Sequence, residues 1–138
     1  MRIIGGSLKG KIILPSPEFK ARPTTDVAKE ALFNILDNEF EFEGLNVLDL
    51  FSGTGSISYE FASRGVGHVW SVEMNQQYSS FIKDQAKKLG LKNLTEVHHN
   101  VFDFIPISIA VDFLSVCDVA DAAEMRALNA MSISRIAM

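Results

Sequence analysis

The sequence predicts an α/β fold, a doubly wound parallel sheet with a β-hairpin ahead of it, on three observations. An apolar run, Val47–Phe51, is broken only by Asp49, ends in the small-residue turn Ser52-Gly53-Thr54-Gly55, and passes into a helical pattern with Ile57 and Phe61 four apart. A second run, His68–Glu73, ends in an acid eighteen residues after Gly55. Helical and extended patterns then continue to alternate, which implies parallel strands joined by crossover helices. Strand, glycine turn, helix and second strand, in that order, are the parts of a nucleotide-binding β-α-β unit.

Each part of the unit has a physical reason. Gly53 and Gly55 let the backbone turn sharply and leave room where a Cβ would keep a ligand away. Asp49 is an acid within a strand that reads as buried, so it is expected at the strand's carboxyl end, facing a ligand or hydrogen-bond donors. Glu73 stands at the spacing of a carboxylate that accepts ribose hydroxyls. A dinucleotide fold prefers a third glycine three residues after the second, and this chain has Ser58 there. That substitution ranks a nicotinamide or flavin dinucleotide, and with it an NAD-dependent oxidoreductase, below other adenosine cofactors.

The remaining elements follow in chain order. Arg2–Gly6 and Lys11–Leu14 read as two short strands around a Ser7–Gly10 turn. Residues 18–23 form a connector in which Pro23 keeps Arg22 out of the helical region. Thr25 is a good N-cap with Asp26 in the first turn, and Ala28, Ala31, Leu32, Ile35 and Leu36 make one apolar helix face. Residues 38–44 form an acidic link anchored by Phe40 and Phe42. Helix Ser56–Arg64 ends at Gly65. The clearest helix carries the stripe Tyr78, Phe81, Ile82, Gln85, Ala86 and Leu89 and ends at Gly90. A third strand, Leu94–His98, leads to Asn100 and the apolar stretch Val101–Ile105.

Composition narrows the function. The chain has 138 residues, 47% hydrophobic and 22% charged, with a net charge of −4, as expected for one soluble domain or part of one and not for a uniformly basic nucleic-acid binder. The charge is uneven: residues 1–22 carry Arg2, Lys9, Lys11, Lys20 and Arg22 against Glu18 alone. A basic arm on an acidic body can hold a polyanion, and an ordinary solvated hairpin accounts for the same charges. No apolar run approaches a membrane span and no secretory signal core is visible. The single Cys117 forms no intramolecular disulfide, and a cytoplasmic location is expected. His98 and His99 project to opposite faces of a strand with no ligand partners at metal spacing, so no metal site is expected.

Several stretches together resemble one family. They are Arg2-Ile3-Ile4-Gly5-Gly6, Lys9-Gly10-Lys11, Arg22-Pro23-Thr24-Thr25-Asp26, Glu30–Leu36, and Leu48-Asp49-Leu50-Phe51-Ser52-Gly53-Thr54-Gly55. They resemble the bacterial methyltransferases that use S-adenosylmethionine to methylate the exocyclic N2 of one guanine in 16S ribosomal RNA, over roughly residues 1–105. The resemblance implies a Rossmann-like class I methyltransferase fold. It places the cofactor's methionine part against Gly53–Gly55, Asp49 near its amino group, and Glu73 on the ribose. Asn100 stands where the family usually has an acid facing the adenine amino group. Phe51, by itself a core-packing residue like Phe61, Trp70 and Phe81, joins the cofactor set by its place in the motif. Arg2, Lys9, Lys11 and Arg22 become candidate contacts to 16S rRNA or the small ribosomal subunit.

The resemblance also exposes a gap. The family's catalytic motif, Asp or Asn, two prolines and an aromatic residue, follows its fourth strand, and no proline occurs here after Pro106. Val111–Leu114 could begin that strand, but Ser115-Val116-Cys117-Asp118 follows where the motif should stand. Residues 107–138 contain no Lys, Gly or Pro, seven Ala and three of the five Met. The expected organisation is therefore a hairpin and connector over 1–23, a cofactor-binding half over 24–106, and a tail over 107–138. That tail is either out of the family's reading frame or a divergent segment with a helix over 118–131. No catalytic residue is assigned. A cofactor- or RNA-binding half-domain without turnover is the alternative function.

Overall fold

The computed structural model describes residues 1–108 and 114–117, with side chains described through residue 104. Four parallel strands, β1 (Asn46–Leu50), β2 (His68–Glu73), β3 (Leu94–His98) and β4 (Leu114–Cys117), lie in the order β3-β2-β1-β4. The helices are α1 (Asp26–Glu39), α2 (Ser56–Ser63), α3 (Gln76–Leu89) and α4 (Val101–Ser108). Strand β4 pairs Asp49 with Val116 and Leu50 with Cys117. Residues 111–113 and the expected tail helix lie outside the described residues. The stretch after Asn100, expected only to be apolar, is α4 and contains Pro106.

Alternation along the strands sets the two faces of the sheet. Val47, Val69 and Leu94 join Ile57, Phe61, Ile82 and Ala86 in the larger core, with Phe33 and Leu36 of α1 and Ile3 and Ile13 of the hairpin. Leu48, Leu50 and Val72 point the other way, to Val101 of α4, with Phe51, Trp70, Val97 and Phe104 around them. Every residue of α2 is buried. Sheet, α1, α3 and hairpin enclose it; Ser58, Glu60 and Ser63 find hydrogen-bond partners within the protein, while Ser56 Oγ and the Tyr59 hydroxyl find none among the described residues.

Three expectations are corrected. The hairpin pairs antiparallel but forms one bridge, Arg2 with Ile12, and not two strands. Its ends meet through Ile3 N–H to Lys11 O (2.9 Å) and Gly10 N–H to Ile3 O (2.8 Å), and the residues between leave to dock on α2. The buried face of α1 is Lys29, Phe33 and Leu36, while Ala28, Ala31 and Ile35 are exposed. Spacing alone cannot choose between two faces when a lysine supplies one position of the true one. Phe40 is largely exposed, and Phe42 alone anchors the link, against Phe33 and Phe61. Thr25 does cap α1, accepting from Ala28 N–H at 3.2 Å.

The hairpin is held by charge as well as by apolar contact. Glu60, fully buried on α2, accepts from Ile4 N–H (2.9 Å) and Arg64 Nε (3.1 Å), with Lys29 Nζ 3.9 Å away. The Lys29 ammonium donates to Arg2 O, and Asp26 lies 3.7 Å from it. Burial lowers the Lys29 pKa below its ordinary 10.5, against the raising effects of Glu60 and Asp26. Arg64 extends the network to Asp37 at 2.8 Å and lies over the Phe33 ring. Ser63 completes the seam: its carbonyl accepts from Ser7 N–H (2.7 Å), and its hydroxyl donates to Gly5 O (2.6 Å) and accepts from Leu8 N–H (3.0 Å).

Candidate cofactor site

The carboxyl ends of β1 and β2 meet at the turn 51–55, and that of β3 lies beside β2. Phe51 leaves β1 with φ +60°, a left-handed conformation that costs a non-glycine residue energy and is kept only where surrounding contacts impose it. Its ring packs edge-on to Phe102. Ser52 then ties the turn to both strands: its N–H bonds Val72 O (3.0 Å), and its hydroxyl bonds Asp49 O (2.8 Å). Gly55, at φ +79°, precedes α2, and a Cβ there would stand 2.9 Å from Tyr59 Cζ and 3.0 Å from Ile82 Cγ1. No side chain caps α2.

Glu73 closes the turn from the second strand. One carboxylate oxygen accepts from Gly53 N–H at 2.8 Å and the other from Asn75 N–H at 2.7 Å. Each oxygen keeps a further lone pair, so the group can still take a hydroxyl. Asn75 in turn caps α3, accepting from the amides of Gln77 and Tyr78. Asp49 is wholly buried and accepts from Ser58 Oγ at 2.5 Å. Burial and the Asp49 charge push the Tyr59 phenol far above its ordinary pKa, so Tyr59 stays neutral.

The structure thus brings Asp49, Phe51, Gly53, Gly55 and Glu73 together. Asn100 lies one residue beyond His99, whose N–H bonds Glu73 O at 3.1 Å. Its side-chain oxygen accepts from Phe102 N–H (2.9 Å), so it caps α4. The basic residues do not form one patch. Arg2 and Lys9 line a groove of about 530 Å³ with Arg64, Glu30 and Asn34 between hairpin and α1. Arg2 pairs there with Asp26 at 3.1 Å. Lys11 is exposed on the hairpin, and Arg22 is exposed on a connector that packs on α3 through Phe19 and through Ala21 N–H to the Tyr78 hydroxyl. Among the described residues no group of acids, histidines or cysteines could hold a metal ion, and no helix is long and apolar enough to cross a membrane.

Sequence reasoning misses the buried partners of this site. Ser58 registers only as a departure from a glycine pattern and Ser71 not at all. Lys29 and Glu60 carry no signal beyond being charged residues inside apolar patterns.

Comparison with known proteins decides the family. The model of the family described as "Conserved hypothetical protein 95" matches residues 1–111. Ribosomal RNA small subunit methyltransferase D of Escherichia coli (strain K12) is 33% identical over 106 residues, 76% of this chain and 52% of that protein. The chain belongs to this family. A Bacillus subtilis (strain 168) relative, provisionally named the rRNA methyltransferase YlbH, is 36% identical over 100 residues, 72% of this chain and 53% of its own length. The solved structure of the Escherichia coli methyltransferase yhhF, also provisional in its naming, superposes with a TM-score of 0.67 at 31% identity, over 76% of this chain and 55% of that one. The fold is that of the class I methyltransferases, and the chain spans about half the length of the curated relatives it matches.

Proposed function

We propose that this chain is the cofactor-binding part of an S-adenosylmethionine-dependent enzyme that methylates the exocyclic N2 of a guanine in 16S rRNA. The observation that carries the reading is the Glu73 carboxylate bonded to Gly53 N–H beside the buried Asp49, at the carboxyl ends of adjacent parallel strands. In an open α/β sheet this is where a ligand lies. The uncapped first turn of α2 offers amides to the cofactor's carboxylate, Asp49 offers a charge to its ammonium, Glu73 takes the ribose hydroxyls, and Phe51 and Asn100 border the adenosine. S-adenosylmethionine supplies the methyl group. The guanine amine is a poor nucleophile, its lone pair delocalised into the ring, and must be aimed by carbonyl acceptors. No described residue fills that role. Arg2, Lys9, Lys11 and Arg22 provide phosphate contacts to 16S rRNA or the small subunit, and the enzyme works in the cytoplasm.

The missing catalytic motif favours a second reading, a half-domain that binds cofactor or RNA without turnover. The family match ends at residue 111, near the composition change after Pro106, which supports a departure from the family's reading frame close to that point. An Asp/Asn-Pro-Pro-aromatic motif in another frame of the coding DNA would establish it.

The test of the site is binding. S-adenosylhomocysteine should raise the melting temperature of the chain, and Asp49→Asn should weaken its affinity at least about tenfold, the loss of one charge-assisted contact. Stabilisation by NAD but not by S-adenosylhomocysteine would overturn the proposal in favour of an oxidoreductase. Cofactor binding without methyl transfer to small-subunit RNA would select the second reading.

A further inference from the structure

A row of polar groups crosses the helix-covered face of the sheet at one register level. Asp49 on β1 stands opposite Ser71 on β2, and Ser71 opposite Glu96 on β3. The covering helices meet this row with serines. Ser79 of α3 donates to Glu96 at 2.5 Å, and Ser58 of α2 lies 2.5 Å from Asp49 Oδ2 and 2.9 Å from Ser71 Oγ. Asp49, Ser58 and Ser71 are each fully buried. A hydroxyl has one proton to give. Ser58 gives its proton to the carboxylate, so the Ser71 hydroxyl donates to Ser58 Oγ. The two hydroxyls then form a relay that ends on Asp49.

We propose that Ser58 is a positioning residue of the cofactor site: its hydroxyl, backed by that of Ser71, fixes the orientation of the buried Asp49 carboxylate and keeps it ionised to receive the cofactor's ammonium. The inference rests on the cofactor reading above. A buried carboxylate that loses a donor either picks up a proton or turns toward another partner, and both spoil an ammonium site. The residue that marks a departure from the dinucleotide pattern thus has a role that a glycine, having no hydroxyl, could not fill. Most titratable groups on the elements packed around β1 are engaged elsewhere. Glu60 of α2 bonds Ile4 N–H and Arg64, Glu73 of β2 bonds Gly53 and Asn75, and His68 of β2 bonds Thr95. On β3, Glu96 bonds Ser79, and Cys117 of β4 stands in register with Leu50. Tyr59 of α2 shares the buried field of Asp49 and stays neutral.

The experiment follows Asp49 directly. Aspartate carboxyl carbons are labelled with ¹³C in the full chain, with Asp49→Asn to assign the signal, and titrated alongside S-adenosylhomocysteine affinity at pH 6 and pH 7. Ser58→Ala should move protonation of Asp49 upward by about one pH unit or more and weaken binding about tenfold at pH 7. Ser58→Thr should restore both, and Ser71→Ala, which removes only the backing donor and keeps the proposal testable if Ser58→Ala fails to fold, should give a smaller shift in the same direction. An Asp49 titration and a cofactor affinity unchanged by Ser58→Ala would overturn the inference. If the unsubstituted chain binds no S-adenosylhomocysteine while Ser58→Ala still shifts the titration, the hydroxyl relay stands and the cofactor reading of the site falls.

Discussion

Replacing Glu60 by alanine is expected to cost about 3–5 kcal/mol of folding stability, the range for breaking a buried ion pair from one side. A domain of this size has roughly 5–15 kcal/mol to lose. The substitution removes the acceptor of Ile4 N–H and of Arg64 Nε, and leaves the Lys29 ammonium buried with only Asp26 and Arg2 O to compensate it. The loss should depend on pH, and its sign follows from Lys29. Burial already lowers the folded-state pKa of Lys29 below 10.5, and Glu60 is the largest influence that raises it. Without Glu60 the folded chain releases that proton at lower pH than the unfolded chain does. The full penalty is present below the folded pKa, shrinks as pH rises through it, and its charge part is gone above 10.5, where Lys29 is neutral in both states. Urea melts of wild type and Glu60→Ala at pH 7 and pH 10 measure both effects. A pH-independent loss below about 1 kcal/mol would mean that the network behaves like a surface ion pair.

Substituting Gly6 by alanine should release the hairpin from α2. Gly6 has φ +72°, and a Cβ there would fall 1.9 Å from Ser63 O and 2.6 Å from Arg64 N, backbone atoms at the end of a fully buried helix that cannot retreat. The left-handed conformation alone costs alanine about 1–2 kcal/mol. The seam around Ser63 adds about 0.5–1.5 kcal/mol for each hydrogen bond lost. A total of about 3 kcal/mol or more is expected from these two contributions, with faster amide exchange at Ile4, Ser7 and Leu8. Gly10→Ala is the control, since Gly10 also has positive φ but nothing within 4 Å of a Cβ. Equal destabilisation by the two substitutions would show that only conformational strain is at work.

Much of the site is legible in the sequence because it is local. Strands β2 and β3 begin and end at the predicted residues, β2 because it lies between Gly67 and the acid Glu73, and β3 because it lies between Asn93 and the His98-His99 pair. Asp49 and Glu73 stand out because a carboxylate at the end of a buried strand is costly unless a ligand or a set of donors receives it. The illegible part is pairing across distance. Lys29 and Glu60 are 31 residues apart and each neutralises the other's burial, so neither looks like a core residue until both are placed. The same holds for the Ser58–Ser71 contact, in which two unremarkable serines become buried only when α2 lies on the sheet.

The seam between hairpin and α2 has a consequence for synthesis of the chain. Ile4 finds its acceptor on Glu60, 56 residues later, and Ser7 finds Ser63 at the same separation. At roughly 5–20 residues per second, translation leaves the hairpin without its docking surface for several seconds. Ile3 and Ile13, buried in the finished fold, are exposed to solvent on the nascent chain for that interval. The order of manufacture therefore makes the hairpin wait for α2 before it can dock.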